Sequence, residues 1–327
     1  MNRLTGYLGT YASAKSQGIY RFTVDLEDGT LSGPKLFWRA LDCKYLSLMD
    51  SLLAFPVKEE KAGIGLLDIS KGEAVLQGEL LSESAVSCYI TQDLNWIYTA
   101  NYHEGTISIY EKTEEGPVLN RRIEIGEGAG CHQILFHGPL MLVPCLLLDQ
   151  IKIFDRRRDY MPAGEIRFQK GTGPRHGVFD RLHRRLFLVS ELTNELFVYQ
   201  IKKEDFILKH RYTILPEGKK YEKQPASAAL RLSPDERFLY VSTRFADRIS
   251  VFLIKGDSLE MIQQIESKGS CPRDIMLTPD GRFLLAANQM DGSLVSFLVD
   301  SKSGKILSMQ SRITVPQAVS IVWDETQ

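Results

Sequence analysis

A histidine, a glutamate and three arginines stand at matching distances from a short phrase that recurs along the chain. The phrase is a turn residue followed by a strand rich in Ile, Val, Phe and Tyr, and its copies begin at Gly18, Gly63, Gly105, Asp149, Asn194, Asp247 and Gly292. Glu191 and Arg244 each lie three residues before a copy, whereas Arg175 and Arg273 each lie 19 residues before one. His132 lies 17 residues before a copy, but the intervening turn is about two residues shorter, which brings it into register with both arginines. Equal offsets within a repeat predict equivalent positions in the fold.

These residue types suit proton transfer next to a developing negative charge. A neutral histidine and a carboxylate are the usual groups that move protons at neutral pH. Arginine binds carboxylate or phosphate oxygens in pairs and stabilises an oxyanion. The sequence has no Gly-x-Ser-x-Gly elbow, no Walker or dinucleotide loop and no carboxylate cluster with metal spacing. We therefore predict acid/base chemistry without metal or cofactor on a small anionic substrate, namely hydrolysis or closure of an ester, or a proton shift.

The repeat predicts the elements that position this set. Successive copies of the phrase are 42–45 residues apart, with one interval of 53. Each copy after the first follows two strands joined by a tight turn, most completely in residues 272–293, and every copy precedes a fourth, weaker strand. Four strands in each of seven repeats are typical of a β-propeller, whereas helical repeats would show a 3.6-residue period.

The two ends of the chain predict a closed ring. The chain begins near Leu4 with a segment typical of a second strand, and residues 317–323 are typical of a first strand. The C-terminal strand is therefore expected to complete the N-terminal blade, which would leave no open sheet edge. We predict an all-β, seven-bladed propeller of four antiparallel strands per blade, as a single domain over residues 1–327. The longer interval contains a polar insertion near residues 215–227 that is expected to overhang one face.

Blade geometry then predicts where the chemistry lies. We label the strands A to D from the axis outward; in an antiparallel pair, the start of strand A and the end of strand B share a face. This places His132, Arg175 and Arg273 with Glu191 and Arg244 at one mouth of the central channel. Further substrate-binding candidates come from the ends of the B strands and one adjacent loop: Asn101, His103, Cys145, Asn288 and Gln289. The alternative is that these polar side chains only line the channel and have a structural role.

Composition indicates which binding partners and which cellular compartment to expect. Lys and Arg total 40 and Asp and Glu total 41, a net charge of -1 that argues against a nucleic-acid partner. The five cysteines form no CxxC pair, so neither a disulfide framework nor a zinc site is expected. The N-terminus shows no signal-peptide pattern and no apolar run is long enough for a membrane span. We expect a cytoplasmic protein with a small-molecule substrate; the oligomeric state stays open, and a monomer is compatible with the sequence.

The motifs around these residues resemble those of the seven-bladed lactonase family, which contains 6-phosphogluconolactonases and the fungal carboxy-cis,cis-muconate cyclase. The resemblance covers nearly the whole chain. It lies in the segments YLGTYASAKSQGIYRFTVD, TANYHEGTISIY, CHQILF, GTGPRHGVFD, LVSELTNELFVY, LSPDERFLYVSTRFADRISVF and CPRDIMLTPDGRFLLAANQMDGSLVSF. By matching motif, the family's candidate catalytic set falls on His132, Arg175, Glu191 and Arg244.

The sequence departs from the family pattern at three places on the expected rim. Cys145, Leu146 and Leu147 stand where the family usually has Asp-Leu-Gly, which makes that rim more apolar. Thr243 replaces the usual Asn before the second arginine, and the His-Pro-His pattern is reduced to Gly-Cys-His132. These departures bear on the identity of the substrate more than on the fold.

Three functions follow from this sequence. The resemblance implies a hydrolase of the 6-phosphogluconolactonase type, in the pentose phosphate branch of carbohydrate metabolism. Glu191 or His132 would then deprotonate water, and Arg175 and Arg244 would hold the phosphate and the carbonyl oxyanion. The second is a cycloisomerase that opens or closes a muconate-type lactone. The third is a propeller that binds a ligand or a protein without catalysis, because fold alone does not imply function.

Overall fold

The computed structural model describes residues 2–216 and 218–324, and it is a ring of seven four-stranded antiparallel sheets. Within these residues the only helical segments are two 3-10 turns, Leu146–Leu148 and Arg156–Arg158. The predicted all-β, seven-bladed propeller is therefore confirmed. None of the described helical segments is long and apolar enough to cross a membrane.

Each blade runs from strand A at the channel to strand D at the outer edge of the ring. Blade 1 consists of β28 (Ala318–Trp323), β1 (Arg3–Thr10), β2 (Gly18–Asp25) and β3 (Leu31–Arg39), and blade 2 of β4 (Ser47–Met49), β5 (Leu52–Lys58), β6 (Ala62–Asp68) and β7 (Val75–Glu83). Blade 3 consists of β8 (Tyr89–Gln92), β9 (Trp96–Asn101), β10 (Thr106–Thr113) and β11 (Gly116–Glu124), and blade 4 of β12 (Leu135–His137), β13 (Leu140–Cys145), β14 (Gln150–Asp155) and β15 (Met161–Arg167). Blade 5 consists of β16 (Pro174–Phe179), β17 (Arg185–Ser190), β18 (Glu195–Lys202) and β19 (Asp205–Thr213). Blade 6 consists of β20 (Ala226–Leu232), β21 (Phe238–Arg244), β22 (Arg248–Lys255) and β23 (Ser258–Glu266). Blade 7 consists of β24 (Pro272–Leu277), β25 (Phe283–Asn288), β26 (Ser293–Val299) and β27 (Ile306–Thr314).

The C-terminal strand closes the ring as predicted. β28 pairs antiparallel with β1, with Leu8 opposite Ile321. The Trp323 indole packs on Phe22, at 5.6 Å between ring centroids, and its Nε1 donates a hydrogen bond of 2.7 Å to the Leu277 carbonyl of blade 7. The first blade is thus built from both ends of the chain, and its inner strand is also tied to the last blade.

Burial is greatest in the second strand of a blade and least in the outermost one. Every residue of β25 is buried, whereas most of β27, the outer strand of the same blade, is exposed or half-buried. Apolar side chains of neighbouring blades pack between the sheets, as Phe22 of blade 1 does with Phe283 of blade 7. The starts of the A strands and the ends of the B strands are therefore held by a packed apolar core.

The polar insertion ends at the predicted mouth of the channel. It connects β19 to β20, and Ala226, the first residue of β20, pairs with Arg244. The Lys223 ammonium lies 5.9 Å from the centroid of the Phe245 ring, next to Arg244. The loop thus reaches the face on which the candidate residues lie.

Candidate functional site

Strand register brings the starts of A strands against the ends of B strands. Pro174 pairs with Ser190, Ala226 with Arg244, and Pro272 with Asn288. Arg175 and Arg273 occupy the second position of their A strands, and Glu191 directly follows its B strand. The offsets read from the sequence therefore correspond to one rim of the channel.

Glu191 lies between two arginines at this rim. The Arg175 Nε donates a hydrogen bond of 2.8 Å to Glu191 Oε2, and the Arg244 Nη2 lies 2.7 Å from the same oxygen. Burial raises the pKa of Glu191, but the charges of Arg175 and Arg244 outweigh it, and the net pKa lies below the ordinary glutamate value. Glu191 is therefore ionised at neutral pH, and its side chain keeps 20% of its surface exposed.

The two arginines differ in how fully the protein uses their donors. Arg175 is only 2% exposed, and its Nη1 donates a second hydrogen bond of 2.6 Å to the Ala228 carbonyl. Burial and the neighbouring Arg244 lower the pKa of Arg175 to about 10. The Arg244 Nε donates to the Ala226 carbonyl at 3.3 Å, but its buried Nη2 is near Glu191 without the alignment of a hydrogen bond. Arg175 is thus fixed by the protein, whereas Arg244 retains a donor for another acceptor.

His132 is one of two neighbouring histidines under the rim. Its Nδ1 lies 3.1 Å from the Nε2 of His176, and both side chains are buried. Burial, followed by the charge of Arg175, lowers the pKa of each histidine well below its ordinary value. Both imidazoles are therefore neutral at pH 7, and their shared hydrogen bond leaves the His132 Nε2 as the nitrogen available to a ligand.

Two residues near this cluster were missed in the sequence. His176 directly follows Arg175, one residue away from the offset that identified the arginines. The Tyr102 ring lies 5.9 Å from that of His132, and burial and the charge of Glu191 raise the pKa of Tyr102. Tyr102 has the same offset of three residues as Glu191 and Arg244, so register alone could have identified it.

Three of the predicted substrate-binding residues are fully buried in the structure. Cys145 is fully buried in the core between blades, where its Sγ donates to the Val143 carbonyl at 3.4 Å. Asn101 is also fully buried, and its amide bridges the Ala85 carbonyl and the Glu104 backbone amide. The Asn288 Nδ2 donates to the Ser293 hydroxyl at 3.1 Å. We therefore assign both asparagine amides to the loops they hold and the cysteine to the core.

The other three predicted substrate-binding residues lie at the mouth. Arg273 is half-buried and its guanidinium lies 5.1 Å from the centroid of the Tyr11 ring. The Gln289 Nε2 donates to the Gln317 side chain at 3.2 Å. His103 is exposed on the rim loop next to Tyr102.

The described residues offer no evident metal site. Over residues 2–216 and 218–324, no three His, Cys, Asp or Glu side chains are placed to hold an ion together. All five cysteines are free thiols, and burial raises the pKa of Cys43 to about 11. The cluster at the mouth is therefore described by its histidine, carboxylate and guanidinium groups alone.

The buried histidines predict that acid weakens the fold. Because the folded-state pKa of His132 and of His176 is lowered, the unfolded chain takes up protons below pH 6.5 that the folded chain does not. Each histidine should therefore remove up to about 1.4 kcal/mol from the free energy of unfolding per pH unit, from pH 6.5 down to its folded-state pKa.

This prediction can be checked with denaturant unfolding at about pH 7.5, 6.0 and 5.0. A His176→Asn variant should lose less stability than the wild type over the acidic part of this range. His210→Asn is the matched control, since His210 is exposed on β19 and should not change the slope. Equal slopes in the wild type and His176→Asn would show that His176 is not held neutral by the fold.

A family model and several known proteins match the chain over almost its full length. The family model described as "Lactonase, 7-bladed beta-propeller" matches residues 5–323. The 6-phosphogluconolactonase of Bacillus subtilis is 26% identical over 346 residues, which cover 98% of each chain. A crystal structure of a protein from Lactobacillus plantarum has a TM-score of 0.91 and 26% identity, and the match covers 99% of this chain and 100% of that one.

A second solved structure shares the fold at lower identity. The periplasmic gluconolactonase of Pseudomonas aeruginosa has a TM-score of 0.91 at 19% identity, and the match covers 99% of this chain and 100% of that one. At this identity the likeness supports the fold alone. The chain therefore spans the whole length of the proteins that it resembles, with no large addition or loss.

Proposed function

Because this chain belongs to the seven-bladed β-propeller lactonase family, we propose that it hydrolyses a sugar lactone at the channel mouth, with 6-phosphogluconolactone as the first candidate. The observation that carries the proposal is an ionised, partly exposed Glu191 between two buried arginines, at the rim that also holds a neutral His132. The Bacillus subtilis relative, which is named as a 6-phosphogluconolactonase, supports this substrate.

Glu191 is the proposed general base. Its carboxylate is more exposed than His132, and it starts in the charged form that accepts a proton. In the free enzyme its pKa is low because of the arginines, which makes it a weak base. A substrate oxygen that draws Arg244 away from Glu191 would raise the pKa of the carboxylate and strengthen the base when substrate is bound.

The reaction then needs one proton to move twice. Glu191 removes a proton from water as the water oxygen bonds to the lactone carbonyl carbon. When the tetrahedral intermediate collapses, the bond to the ring oxygen breaks and the same proton passes from Glu191 to that oxygen. Lactone and water thus become the open hydroxy acid, and the released proton of the acid goes to solvent. The His132 Nε2 is proposed to orient the water by a hydrogen bond.

Arg244 is the proposed donor to the carbonyl oxyanion. Its Nη2 is buried at the site, 2.7 Å from Glu191 Oε2, and has no aligned acceptor within the described residues, so a substrate oxygen can take up this donor in exchange for part of the ion pair. Arg175 is already bonded to Glu191 and to the Ala228 carbonyl, and we propose that it positions Glu191 instead of binding substrate. From the sequence, both arginines were expected to hold the phosphate and the carbonyl oxyanion. We now propose separate roles for them.

The test is product analysis on three lactones: 6-phosphogluconolactone, unphosphorylated gluconolactone and a carboxymuconate lactone. Formation of the sugar acid faster than the spontaneous reaction would support the proposal. Formation of the open, unsaturated muconate would instead indicate a cycloisomerase. A rise in melting temperature with sugar acids but no turnover would indicate a binding propeller, because a ligand of the native state must stabilise it. Five free thiols fit the cytoplasmic location that we propose.

A further inference from the structure

Two cations at the mouth share one aromatic ring and have no ion-pair partner among the described residues. The Lys44 ammonium lies 5.3 Å and the Arg273 guanidinium 5.1 Å from the centroid of the Tyr11 ring. All three residues are half-buried. No Asp or Glu oxygen in the described part of the chain lies within 4.0 Å of either cation. The nearby Asp42 carboxylate accepts a hydrogen bond from the Ala12 backbone amide.

The lack of a partner distinguishes these cations from the other arginines of the channel. Arg175 and Arg244 share Glu191, and the deeper Arg231 lies 2.7 Å from Asp274. A cation that is partly withdrawn from water loses hydration, and an approaching anion offsets this loss more strongly than an aromatic ring does. Two such cations on one ring therefore form a site suited to an anion from outside the protein.

Their position in the ring places them opposite the proposed catalytic cluster. Tyr11 follows the end of strand β1 in blade 1, Lys44 precedes blade 2 and Arg273 begins blade 7, whereas Glu191 and Arg244 belong to blades 5 and 6. Lys44 lies 19 residues before the phrase at Gly63, which is the offset that Arg175 and Arg273 share. The three blades 7, 1 and 2 thus contribute to the same rim from the other side.

The cations and the catalytic cluster act electrostatically on the same buried thiol. Burial raises the pKa of the Cys88 thiol at the start of blade 3, and the charges of Lys44, Arg175 and Arg273 all act against that rise. The Arg273 charge also contributes to the low pKa of Glu191. A small ligand that touches Lys44 and Arg273 is therefore within the electrostatic reach of Glu191.

We propose that Lys44, Arg273 and Tyr11 form the subsite for a phosphate monoester at the far end of the substrate, while the lactone ring faces Glu191 and Arg244. This inference rests on the proposed function for the identity of the ring, but not for the anion. A phosphate monoester carries about two negative charges near neutral pH, which two unpaired cations match. The planar arginine supplies paired donors and the lysine a mobile point charge, and both suit phosphate oxygens. Gln289 and Gln317 flank the subsite with amides that can bond to sugar hydroxyls.

Binding measured without turnover tests the subsite. Calorimetric titration would compare 6-phosphogluconate, gluconate and inorganic phosphate on the wild type and on Lys44→Gln and Arg273→Gln. We expect 6-phosphogluconate to bind the wild type at least about tenfold more tightly than gluconate, since hydrogen bonds between a phosphate and a charged donor are stronger than those between neutral groups. Each variant should reduce this preference by about tenfold.

Two further variants separate charge from folding. Lys15→Gln is the control, because it removes an exposed lysine from the neighbouring loop without touching the Tyr11 ring, and the preference should stay at the wild-type value. Lys44→Arg keeps the charge and should restore most of the preference. If Lys44→Gln or Arg273→Gln is poorly folded, the subsite is tested with Lys44→Arg and Arg273→Lys instead. The measured quantity is again the ratio of the Kd values for gluconate and 6-phosphogluconate.

The outcomes distinguish this inference from the proposed function. A phosphate preference that survives in both glutamine variants overturns the subsite, even if the enzyme hydrolyses lactones. Equal affinity of the wild type for 6-phosphogluconate and gluconate overturns it as well. A preference that collapses in the variants supports the subsite, even if the wild type hydrolyses none of the lactones tested.

Discussion

Replacing Glu191 with glutamine is expected to lower kcat for lactone hydrolysis by about 10³-fold, within the range that a general base contributes. Glutamine keeps the size of the side chain and can still accept a hydrogen bond from Arg175, but it cannot take a proton from water. The measurement is the initial rate of acid release from 6-phosphogluconolactone after subtraction of the spontaneous rate. The KM should change much less than kcat.

A carboxylate elsewhere in the same blade provides the control. Glu195 pairs with Arg211 at 3.2 Å on the outer strands, so Glu195→Gln removes a similar ion pair away from the mouth and should keep wild-type kcat. Glu191→Gln should also lower the melting temperature, because two buried arginines lose their counter-ion. A Glu191→Gln protein that is folded and hydrolyses within about threefold of the wild-type rate would exclude Glu191 as the base.

Replacing Arg244 with glutamine is expected to reduce kcat by about 10²–10³-fold, the usual effect of removing one oxyanion donor. The reason is the buried Nη2, which has no aligned acceptor among the described residues and is available to the carbonyl oxygen as negative charge develops. Since this interaction strengthens in the transition state, the loss should fall on kcat more than on KM.

The same blade offers a matched arginine for this comparison. Arg248 lies 3.5 Å from Glu266 near the surface, and Arg248→Gln should leave turnover at the wild-type level. Arg244→Lys keeps the charge but loses the planar fork, so an intermediate rate is expected. If Arg244→Gln raises KM while kcat stays constant, then Arg244 binds the ground state of the substrate and is not the oxyanion donor.

The fold could be predicted because the repeat constrains it at many points at once. Seven phrases at nearly constant spacing, six of them after a turn-linked strand pair, leave little choice of architecture. The first phrase follows a single strand, and residues 317–323 supply the strand that its blade lacks. The rim residues could be predicted for a related reason. The offsets of three and 19 residues describe the end of strand B and the start of strand A, which register brings to one face.

The three fully buried candidates differ from the rim residues by a shift of one position. Asn101, Cys145 and Asn288 lie four residues before their phrases, where Glu191 and Arg244 lie three before theirs. Neighbouring side chains along a strand point to opposite faces, so a shift of one position turns the side chain from the mouth into the wall. Their full burial is the direct consequence.

The proposed phosphate subsite could not be predicted from the sequence, for a different reason. Lys44 has the correct offset, but the strand pair before the phrase at Gly63 has no Pro-Asp-Gly turn to mark its register. Tyr11 lies in a loop whose length is particular to blade 1, so no repeat offset applies to it. The packing of Lys44 and Arg273 on the Tyr11 ring depends on three different blades, and only the assembled ring brings them together.

The most direct test of the central claim is the rate of 6-phosphogluconolactone hydrolysis at neutral pH with the wild-type protein, using an equal concentration of Glu191→Gln as the blank. We predict acid release that is proportional to wild-type concentration and far above the spontaneous rate, with the blank close to that rate. Identical rates for the wild type, the blank and buffer alone would contradict the account of this mouth as a lactone-hydrolysing site.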